Sequence, residues 1–278
     1  RIDLAVGDSP KQFVRDAVEH ASEHEPPTLG RLGEKRGVLR GALSVGAKTR
    51  QHGPVLESRL VPTDLTKLPV IKTWPLDGGP FFTLPLVYTE HPRSGVPNLG
   101  MYRMQRFCPD STGMHMQIGK GGGFHLAEAR KRGEALPLNV FLGGPPAAIL
   151  GAIAPLPENV PEILVASMAL GKKLELAKNP YGPLPLLADA EFALVGEVSS
   201  TETLPEGPFG DHYGYYSLQH DFPVFRCKQI LHRRDAIYPA TVVGKPPMED
   251  CFLAKATERI FLPLLQQMIP EIVDINMP

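Results

Sequence analysis

Two carboxylates stand five residues apart in the segment E-G-P-F-G-D-H-Y-G-Y-Y, residues 206–216, where Glu206 and Asp211 enclose two glycines and a proline. Glycine permits positive φ and proline fixes φ, so the segment can form a rigid turn that directs both acids to one spot. Two acids that converge in an apolar site suit acid–base chemistry, because crowding and burial raise the pKa of a carboxyl group. The alternative is a solvated loop whose acids face water.

A second segment, P-N-L-G-M-Y-R-M-Q at residues 97–105, places Asn98 and Arg103 on a strand-like run. A separation of five sends two side chains to opposite faces of a strand, unless Gly100 allows a bulge. An arginine among methionine and aromatic side chains is costly to bury unless it is paired, and the two acids of the turn would satisfy it. The alternative is an exposed arginine on an edge strand.

Two glycine-rich segments are candidates for cofactor contact. In H-M-Q-I-G-K-G-G-G-F-H, residues 115–125, three glycines follow a lysine and precede a predicted helix, which suits an anion site at a helix N-terminus. The segment matches neither common nucleotide-binding motif, and a flexible turn is the more usual interpretation. The segment over residues 142–162 combines glycines and prolines around a small-residue helix, where a cofactor could approach backbone amides, although such segments more often serve packing.

The elements that must position these residues are mostly short strands. Hydrophobic patterns predict an α+β fold in which a sheet closes on itself as a barrel or sandwich, with a boundary near residue 50 that separates residues 1–50 from residues 51–278. The final predicted helix starts near Glu249, and Pro263 should kink or end it. The other predicted helices cover residues 9–24, 124–134 and 157–171, and the predicted strands cover residues 55–61, 68–74, 81–88, 99–107, 113–119, 136–143, 191–198, 222–233 and 237–244.

Composition narrows the class of protein. The chain has 278 residues, of which 42% are hydrophobic and 21% charged, and its formal net charge of -1 argues against nucleic-acid binding. Three widely spaced cysteines indicate neither a disulfide framework nor a zinc site. With no membrane-length apolar run and no signal-peptide pattern, the expected location is the cytoplasm. The chain begins at Arg1 without an initiator methionine, which suggests a fragment.

Taken together, several blocks resemble the UbiD family of decarboxylases from about residue 50 to the end. The blocks are N-L-G-M-Y-R-M-Q (98–105), G-G-P-P-A-A-I-L-G-A (143–152), A-P-L-P-E-N-V-P-E (154–162), E-G-P-F-G-D-H-Y-G-Y-Y (206–216), F-P-V-F (222–225), D-A-I-Y-P-A-T-V-V-G-K-P-P (235–247) and P-E-I-V-D (270–274). The resemblance implies a central split β-barrel of the flavin-binding type, a partial N-terminal α/β segment over residues 1–50, and the absence of most or all of the family's C-terminal domain.

The resemblance also implies an activity and its catalytic residues. The activity is the non-oxidative, reversible decarboxylation of an aromatic or α,β-unsaturated carboxylic acid with prenylated FMN, which serves as the electron sink. Arg103 matches the family's catalytic arginine, and Glu206 and Asp211 match the two acids that form a network with it. Asp211 stands at the general-acid position, where many relatives have the longer glutamate, and Glu206 is expected to pair with Arg103.

The implied cofactors are prenylated FMN and a divalent metal, usually manganese, and potassium is a further candidate. Asn98 and Glu162 match two metal ligands, which fits the preference of hard cations for oxygen. Where the family has a third ligand, a histidine, this chain has Gly119, so His115 or Gln117 could substitute, or phosphate and water could complete the site. The residues matched to flavin-contacting stretches are Met101, Tyr102, Arg103, Gln117, Ile153, Ala154 and Pro155.

The partners implied are a small aromatic carboxylic acid as substrate, such as a hydroxybenzoate or naphthoate of quinone biosynthesis, and a flavin prenyltransferase that supplies the cofactor. A homo-oligomer is expected for the full-length protein, and no nucleic acid is expected. Two other hypotheses are compatible with the sequence. One is a flavin-binding or assembly protein without activity, and the other is an ordinary FMN oxidoreductase that would consume NADH.

Overall fold

The computed structural model describes residues 45–277 except residues 118 and 157–159. The predicted helix over residues 9–24 lies outside this range. The first described strand, β1 (Ala47–Arg50), pairs in parallel with a strand from the second half of the chain, β9 (Leu174–Ala177). This pairing does not test the predicted boundary near residue 50, which stays a prediction.

The described residues form twelve strands, four α-helices and two short 3-10 helices. The remaining strands are β2 (Ser58–Leu60), β3 (Phe81–Phe82), β4 (Pro85–Glu90), β5 (Pro97–Met101), β6 (Met104–Cys108), β7 (Ser111–Gly113), β8 (Leu136–Leu142), β10 (Leu186–Leu187), β11 (Phe192–Glu206) and β12 (His220–His232). The α-helices are α1 (Gly121–Arg132), α2 (Pro146–Ala152), α3 (Glu162–Leu170) and α4 (Glu249–Met268), and the 3-10 helices are Pro54–Leu56 and Leu65–Lys67. No helix in the described part of the chain is long and apolar enough to cross a membrane.

The main sheet has nine strands and curls on itself. Its order is β3-β6-β7-β12-β11-β8-β4-β5, with β2 also paired to β12, and every pair in it is antiparallel. Strand β5 lies at one end of this order and β6 lies near the other, yet only Tyr102 and Arg103 separate them in sequence. Because so short a link spans no more than about 11 Å, the two ends of the sheet must approach each other. The predicted α+β class with a barrel-like sheet is confirmed.

Strand β8 shows why the central strands are apolar on both faces. Leu136, Leu138 and Val140 point into the core enclosed by the curled sheet, whereas Phe141 packs in a second core. Successive side chains of a strand alternate between faces, so both faces of β8 are buried. The second core includes residues of α2, α3 and the small sheet β1-β9-β10, so these elements cover the barrel from outside.

The end of α1 follows its local sequence, whereas the end of α4 does not. Helix α1 ends at Gly133, whose φ of 68° lets its N–H donate to carbonyl groups of the last turn. Helix α4 continues past Pro263 to Met268, so that proline does not end it.

Several predicted strands are not formed. The run over residues 68–74 makes only an isolated bridge at Ile71, and the run over residues 237–244 is irregular. In each run a proline, Pro69 or Pro239, lacks the N–H that a ladder requires. Apolar side chains pack without strand pairing, as Tyr238 lies beside Phe82. The predicted strand over residues 113–119 is also wrong after Gly113, where β7 ends, because residues 114–117 and Gly119 form no strand.

The predicted continuous strand over residues 99–107 is wrong at its centre. Strand β5 ends at Met101 and β6 begins at Met104, and the two belong to distant parts of the sheet order. Arg103 therefore lies in the link between them, and the expected bulge at Gly100 is not what sets the relative directions of Asn98 and Arg103.

Candidate active site

A cleft of about 790 Å³ opens beside the link between β5 and β6. Its volume is in the range usual for small-molecule and cofactor sites. All the residues predicted for the site line this cleft except Glu206, which is buried beneath it: Asn98, Met101, Tyr102, Arg103, Gln117, Ile153, Ala154, Pro155, Glu162 and Asp211. The fold therefore brings together blocks that are spread over more than one hundred residues of sequence.

Arg103 is fixed by contacts on three sides. Its Nε lies 3.4 Å from Oε1 of Glu206, and its Nη2 donates to Oγ of Ser217 at 3.4 Å. Its guanidinium carbon lies 4.6 Å from the centre of the Phe209 ring, a cation–π distance. Sequence reasoning did not identify Ser217 or Phe209 as contacts of the arginine, although both lie within or next to the acidic turn.

Glu206 is a fully buried acid at the end of β11. A Cβ on Gly113 would lie 2.2 Å from its Oε2, so only glycine leaves room for this carboxylate. Nδ1 of His115 lies 3.3 Å from Oε1, but neither that nitrogen nor Oε2 has a hydrogen-bond partner within the described chain. A buried carboxylate with one unsatisfied oxygen depends strongly on the cation beside it, which here is Arg103.

The glycines of the acidic turn have specific functions. Gly207 has φ of 100°, and its N–H donates to Oε1 of Gln105 at 2.7 Å. The N–H of Gly210 donates to Oδ1 of Asp77 at 2.8 Å, and a Cβ there would lie 2.3 Å from the Trp74 ring. These hydrogen bonds hold the turn against the barrel, whereas the two acids that were predicted to point to one spot face different partners.

Asp211 lies on the same turn but faces a different partner. Its Oδ1 lies 2.6 Å from Nδ1 of His212 and also accepts the backbone N–H of that residue. The same ring nitrogen lies 3.0 Å from Oδ2 of Asp250, at the start of α4. Of the predicted network, only the contact between Arg103 and Glu206 is present, since no ion pair joins Asp211 to Arg103 in the described residues. Sequence reasoning did not identify His212 or Asp250 as partners.

The two predicted metal ligands lie next to each other on β5 and α3. Glu162, the first residue of α3, accepts the N–H of Leu99 at 2.9 Å through Oε2, and burial raises the pKa of Glu162. Asn98, adjacent to Leu99, is buried, and its Nδ2 has no partner among the described residues. An N–H donor cannot face a cation, so a metal there requires the carboxamide to turn its oxygen toward the ion, which a half-turn of the side chain achieves. In that orientation the oxygen atoms of Asn98 and Glu162 fit a hard divalent cation.

The histidine expected for that metal is absent at Gly119, where a Cβ would meet only open space. His115 is turned toward Glu206, and its ring lies 4.1 Å from that of Phe222. Gln117 is exposed in the cleft. Within the described ranges, no group of three or more His, Cys, Asp or Glu side chains is placed to hold a metal ion.

His125 is a cleft residue that sequence reasoning did not assign to the site. It lies in α1, and its Nδ1 is 2.8 Å from Oγ1 of Thr89. Burial lowers the pKa of His125 to about 4, and the neighbouring His91 contributes to the shift. The residue ends the glycine-rich segment over 115–125, but nothing in the local sequence indicated which way its ring would point.

Several backbone N–H groups at or near the predicted flavin contacts already donate hydrogen bonds within the protein. The N–H groups of Ile153 and Ala154 already donate to carbonyl groups of α2. The three consecutive glycines form the first turn of α1, and there the N–H of Gly122 donates to the hydroxyl of Tyr102 at 3.1 Å. Burial raises the pKa of that Tyr102 hydroxyl, which therefore stays protonated near neutral pH.

Comparison with known proteins places this geometry in a family. Residues 47–246 match the model for the UbiD 3-octaprenyl-4-hydroxybenzoate carboxy-lyase Rift-related domain. An uncharacterized protein of Chlamydia caviae is 49% identical over 97% of this chain and 46% of its own length. A 4-hydroxybenzoate decarboxylase subunit of Chlamydia pneumoniae is 47% identical, again over 97% of this chain and 46% of the relative.

Solved structures agree on the fold. An evolved dimeric form of the UbiD-class enzyme HmfF from Pelotomaculum thermopropionicum, in complex with prFMN, superposes with a TM-score of 0.78 at 24% identity, over 97% of this chain and 58% of that one. The vanillic acid decarboxylase of Sedimentibacter hydroxybenzoicus in closed form also gives 0.78, at 22% identity over 96% of this chain and 57% of that one.

The chain spans about half the length of the curated relatives it matches. The family model nevertheless covers well over half of the chain, over the same residues that build most of the cleft. The chain therefore belongs to the UbiD family of carboxy-lyases.

Proposed function

We propose that this protein catalyses the reversible, non-oxidative decarboxylation of an aromatic carboxylic acid with prenylated FMN. The observation that carries the proposal is the contact of Arg103 with the buried Glu206 beside a cleft that Asp211 also lines. The names of relatives support it: one is a 4-hydroxybenzoate decarboxylase subunit, and a structural neighbour is a UbiD-class enzyme in complex with prFMN.

Arg103 is the group that binds the substrate carboxylate. Glu206 and Ser217 hold its Nε and Nη2, and its Nη1 has no protein partner in the part of the chain that is described. A guanidinium fixed in this way can donate to an incoming carboxylate without losing much rotamer freedom, because its orientation is already set. The ring of Phe209 on one side also shields it from water.

Asp211 is the group that moves the proton. Loss of CO2 from an unsaturated carbon leaves an electron pair that no side chain can delocalise, and prenylated FMN supplies the electron sink when bound. The carbon then needs a proton, and Asp211 lines the cleft while its Oδ1 contacts His212. Rotation of its side chain away from His212 would present the carboxyl group to the substrate.

Asn98 and Glu162 are the residues that would hold a divalent metal, with manganese proposed, beside the cofactor phosphate. No residue is assigned as a ligand of potassium, the further cofactor candidate. The finer proposals follow the family: the substrate is a hydroxybenzoate or naphthoate of quinone biosynthesis, a flavin prenyltransferase supplies the cofactor, and the full-length protein forms a homo-oligomer. One neighbour is an evolved dimeric form and one relative is named as a subunit, which supports assembly.

The proposal is tested by co-expression with a flavin prenyltransferase. The purified protein should carry a flavin with the altered absorption of the prenylated form, and it should exchange labelled CO2 into the carboxyl group of 4-hydroxybenzoate. A bound flavin without exchange into any of a panel of hydroxybenzoates and naphthoates would favour the inactive flavin-binding protein. Consumption of NADH instead would favour the FMN oxidoreductase, and a colourless protein would exclude both flavin-dependent activities.

A further inference from the structure

We propose that His125 is the nitrogen ligand of the divalent cation, in place of the histidine that is absent at Gly119. This inference rests on the metal site of the proposed function, which assigned only Asn98 and Glu162. It concerns a residue on a different element from either of them, and three sets of contacts bring α1, Asn98 and Glu162 to the same part of the fold.

The first contact follows from the geometry of α1. His125 comes four residues after Gly121, so the two positions share one face of the helix. Helical side chains lean toward the helix N-terminus, so the ring of His125 covers the turn that begins at Gly121. The three glycines of that turn, residues 121–123, carry no side chain. A Cβ on Gly121 would lie 1.7 Å from Oδ1 of Asn98, so the carboxamide of Asn98 occupies the space that the glycine leaves.

The second contact runs through the β4–β5 pair. Thr89 on β4 is directly opposite Asn98 on β5, which places their side chains on one face with Cβ atoms about 5 Å apart. The hydroxyl of Thr89 lies 2.8 Å from Nδ1 of His125. This bond leaves Nε2 as the ring nitrogen available to the cleft that His125 lines. A histidine that binds metal through one nitrogen is commonly oriented by a hydrogen bond to the other.

The third contact brings in the carboxylate. Glu162 bonds to the N–H of Leu99, the residue next to Asn98, so its carboxylate lies at the same point of β5. The buried Nδ2 of Asn98 has no hydrogen-bond partner of good geometry in the described range, although the side chain of Asn98 is close enough to the Tyr102 hydroxyl to offset part of the rise that burial causes in the pKa of Tyr102. Because the two ends of a carboxamide can be exchanged by a half-turn, that position can hold the oxygen instead. An amide oxygen, a carboxylate and an imidazole then form a donor set that suits a cation such as Mn²⁺.

His91 is the competing candidate, and it provides the matched control. Its ring lies 5.3 Å from that of His125 in an edge-on arrangement, and it also lines the cleft. Its Nδ1 accepts backbone N–H groups from Arg93 and Ser94 at 3.3 and 3.2 Å, so it serves the turn after β4. No comparable contact joins His91 to Thr89 or Asn98 among the described residues.

The test is electron paramagnetic resonance of Mn²⁺ added to the tag-free protein without flavin. Loss of the free-ion signal gives the affinity, and electron spin-echo modulation from ¹⁴N reports an imidazole ligand. We expect ¹⁴N modulation in the wild type. In His125→Gln the modulation should be lost and the Mn²⁺ affinity should be at least about tenfold weaker, and in Thr89→Val the affinity should be about tenfold weaker. His91→Gln should keep both the modulation and the affinity, and circular dichroism checks that every variant is folded.

The outcomes separate this inference from the proposed function. Tight Mn²⁺ binding without ¹⁴N modulation, or with modulation that persists in His125→Gln, would overturn the assignment of His125 and leave the metal site at Asn98 and Glu162 in place. Loss of modulation in His91→Gln alone would assign the ligand to His91. If Mn²⁺ binds neither the flavin-free protein nor the protein loaded with FMN, the metal proposal fails as a whole, while the decarboxylation assay is read separately.

Discussion

Glu206 and Asp211, the two acids of the turn, differ in burial, in hydrogen-bond partner and in position. The side chain of Glu206 has no exposed surface and touches Arg103, whereas that of Asp211 keeps 32% of its surface exposed and touches His212. One is the last residue of a long strand inside the sheet, and the other lies on a hairpin-like loop at the edge of the cleft. The comparison shows that a short turn can bury one acid completely and leave its neighbour partly exposed.

This difference fits the different tasks proposed for the two acids. An acid that sets the position of an arginine must not move, and packing against Gly113 ensures that for Glu206. An acid that delivers a proton must reach the substrate and then recover a proton, which requires access to solvent or to a titrating neighbour. Asp211 lines the cleft and its side chain is partly exposed beside His212, which fits the proton-donor role proposed for it. The stability of the protein should therefore respond strongly to changes at Glu206 and weakly to changes at Asp211.

The largest effect is expected for Glu206→Ala. Removal of the carboxylate leaves Arg103 without its buried partner, and the free energy of unfolding should fall by about 3–5 kcal/mol. Urea unfolding followed by fluorescence measures the change. The control is Glu197→Ala on the same strand, where the acid pairs with Lys228 at the surface and the loss should stay below about 1 kcal/mol. Equal losses in the two variants would contradict the contrast between buried and exposed acids.

A smaller effect is expected for Gly113→Ala. The added methyl group collides with Oε2 of Glu206, and the cost of such overpacking is about 1–3 kcal/mol in the free energy of unfolding. The same substitution made together with Glu206→Ala should cost much less, because the atom that it meets is gone. Additive losses in the double variant would show that the glycine is required for another reason.

The smallest effect on stability is expected for Asp211→Asn. The contact with His212 is partly exposed, so the free energy of unfolding should change by less than about 1 kcal/mol. Decarboxylation should nevertheless be lost while flavin binding, followed by absorption, is retained. Asp221→Asn, an exposed aspartate at the start of β12, should leave both unchanged. Turnover that is undiminished in Asp211→Asn would reject its role as the proton donor.

Much of the site could be predicted because short blocks carry it. The turn at 206–211 needed only its glycines and proline to indicate a rigid loop, and the structure places Arg103 beside one of its acids. The partner of Asp211 could not be predicted in this way. It depends on His212 reaching Asp250 at the start of α4, a contact between segments that are distant in sequence.

The fold shows the same limit. Strands β8 and β11 were predicted because both faces of each are apolar for part of their length. The equally apolar run around Tyr238 forms no strand, since that ring packs against Phe192 and Pro239 cannot join a ladder. Local sequence patterns indicate which side chains are buried, but they do not indicate whether the backbone pairs with another strand.

The two-residue link between β5 and β6 makes assembly of the site dependent on topology. Arg103 and Glu206 are 103 residues apart in sequence, and the arginine sits on the seam where the sheet closes. A folding intermediate with every hairpin formed but the seam still open would hold Arg103 far from its acid. Since such distant contacts are slow to form, completion of the arginine–glutamate pair would mark the final stage of maturation, before which the protein would have no competent active site.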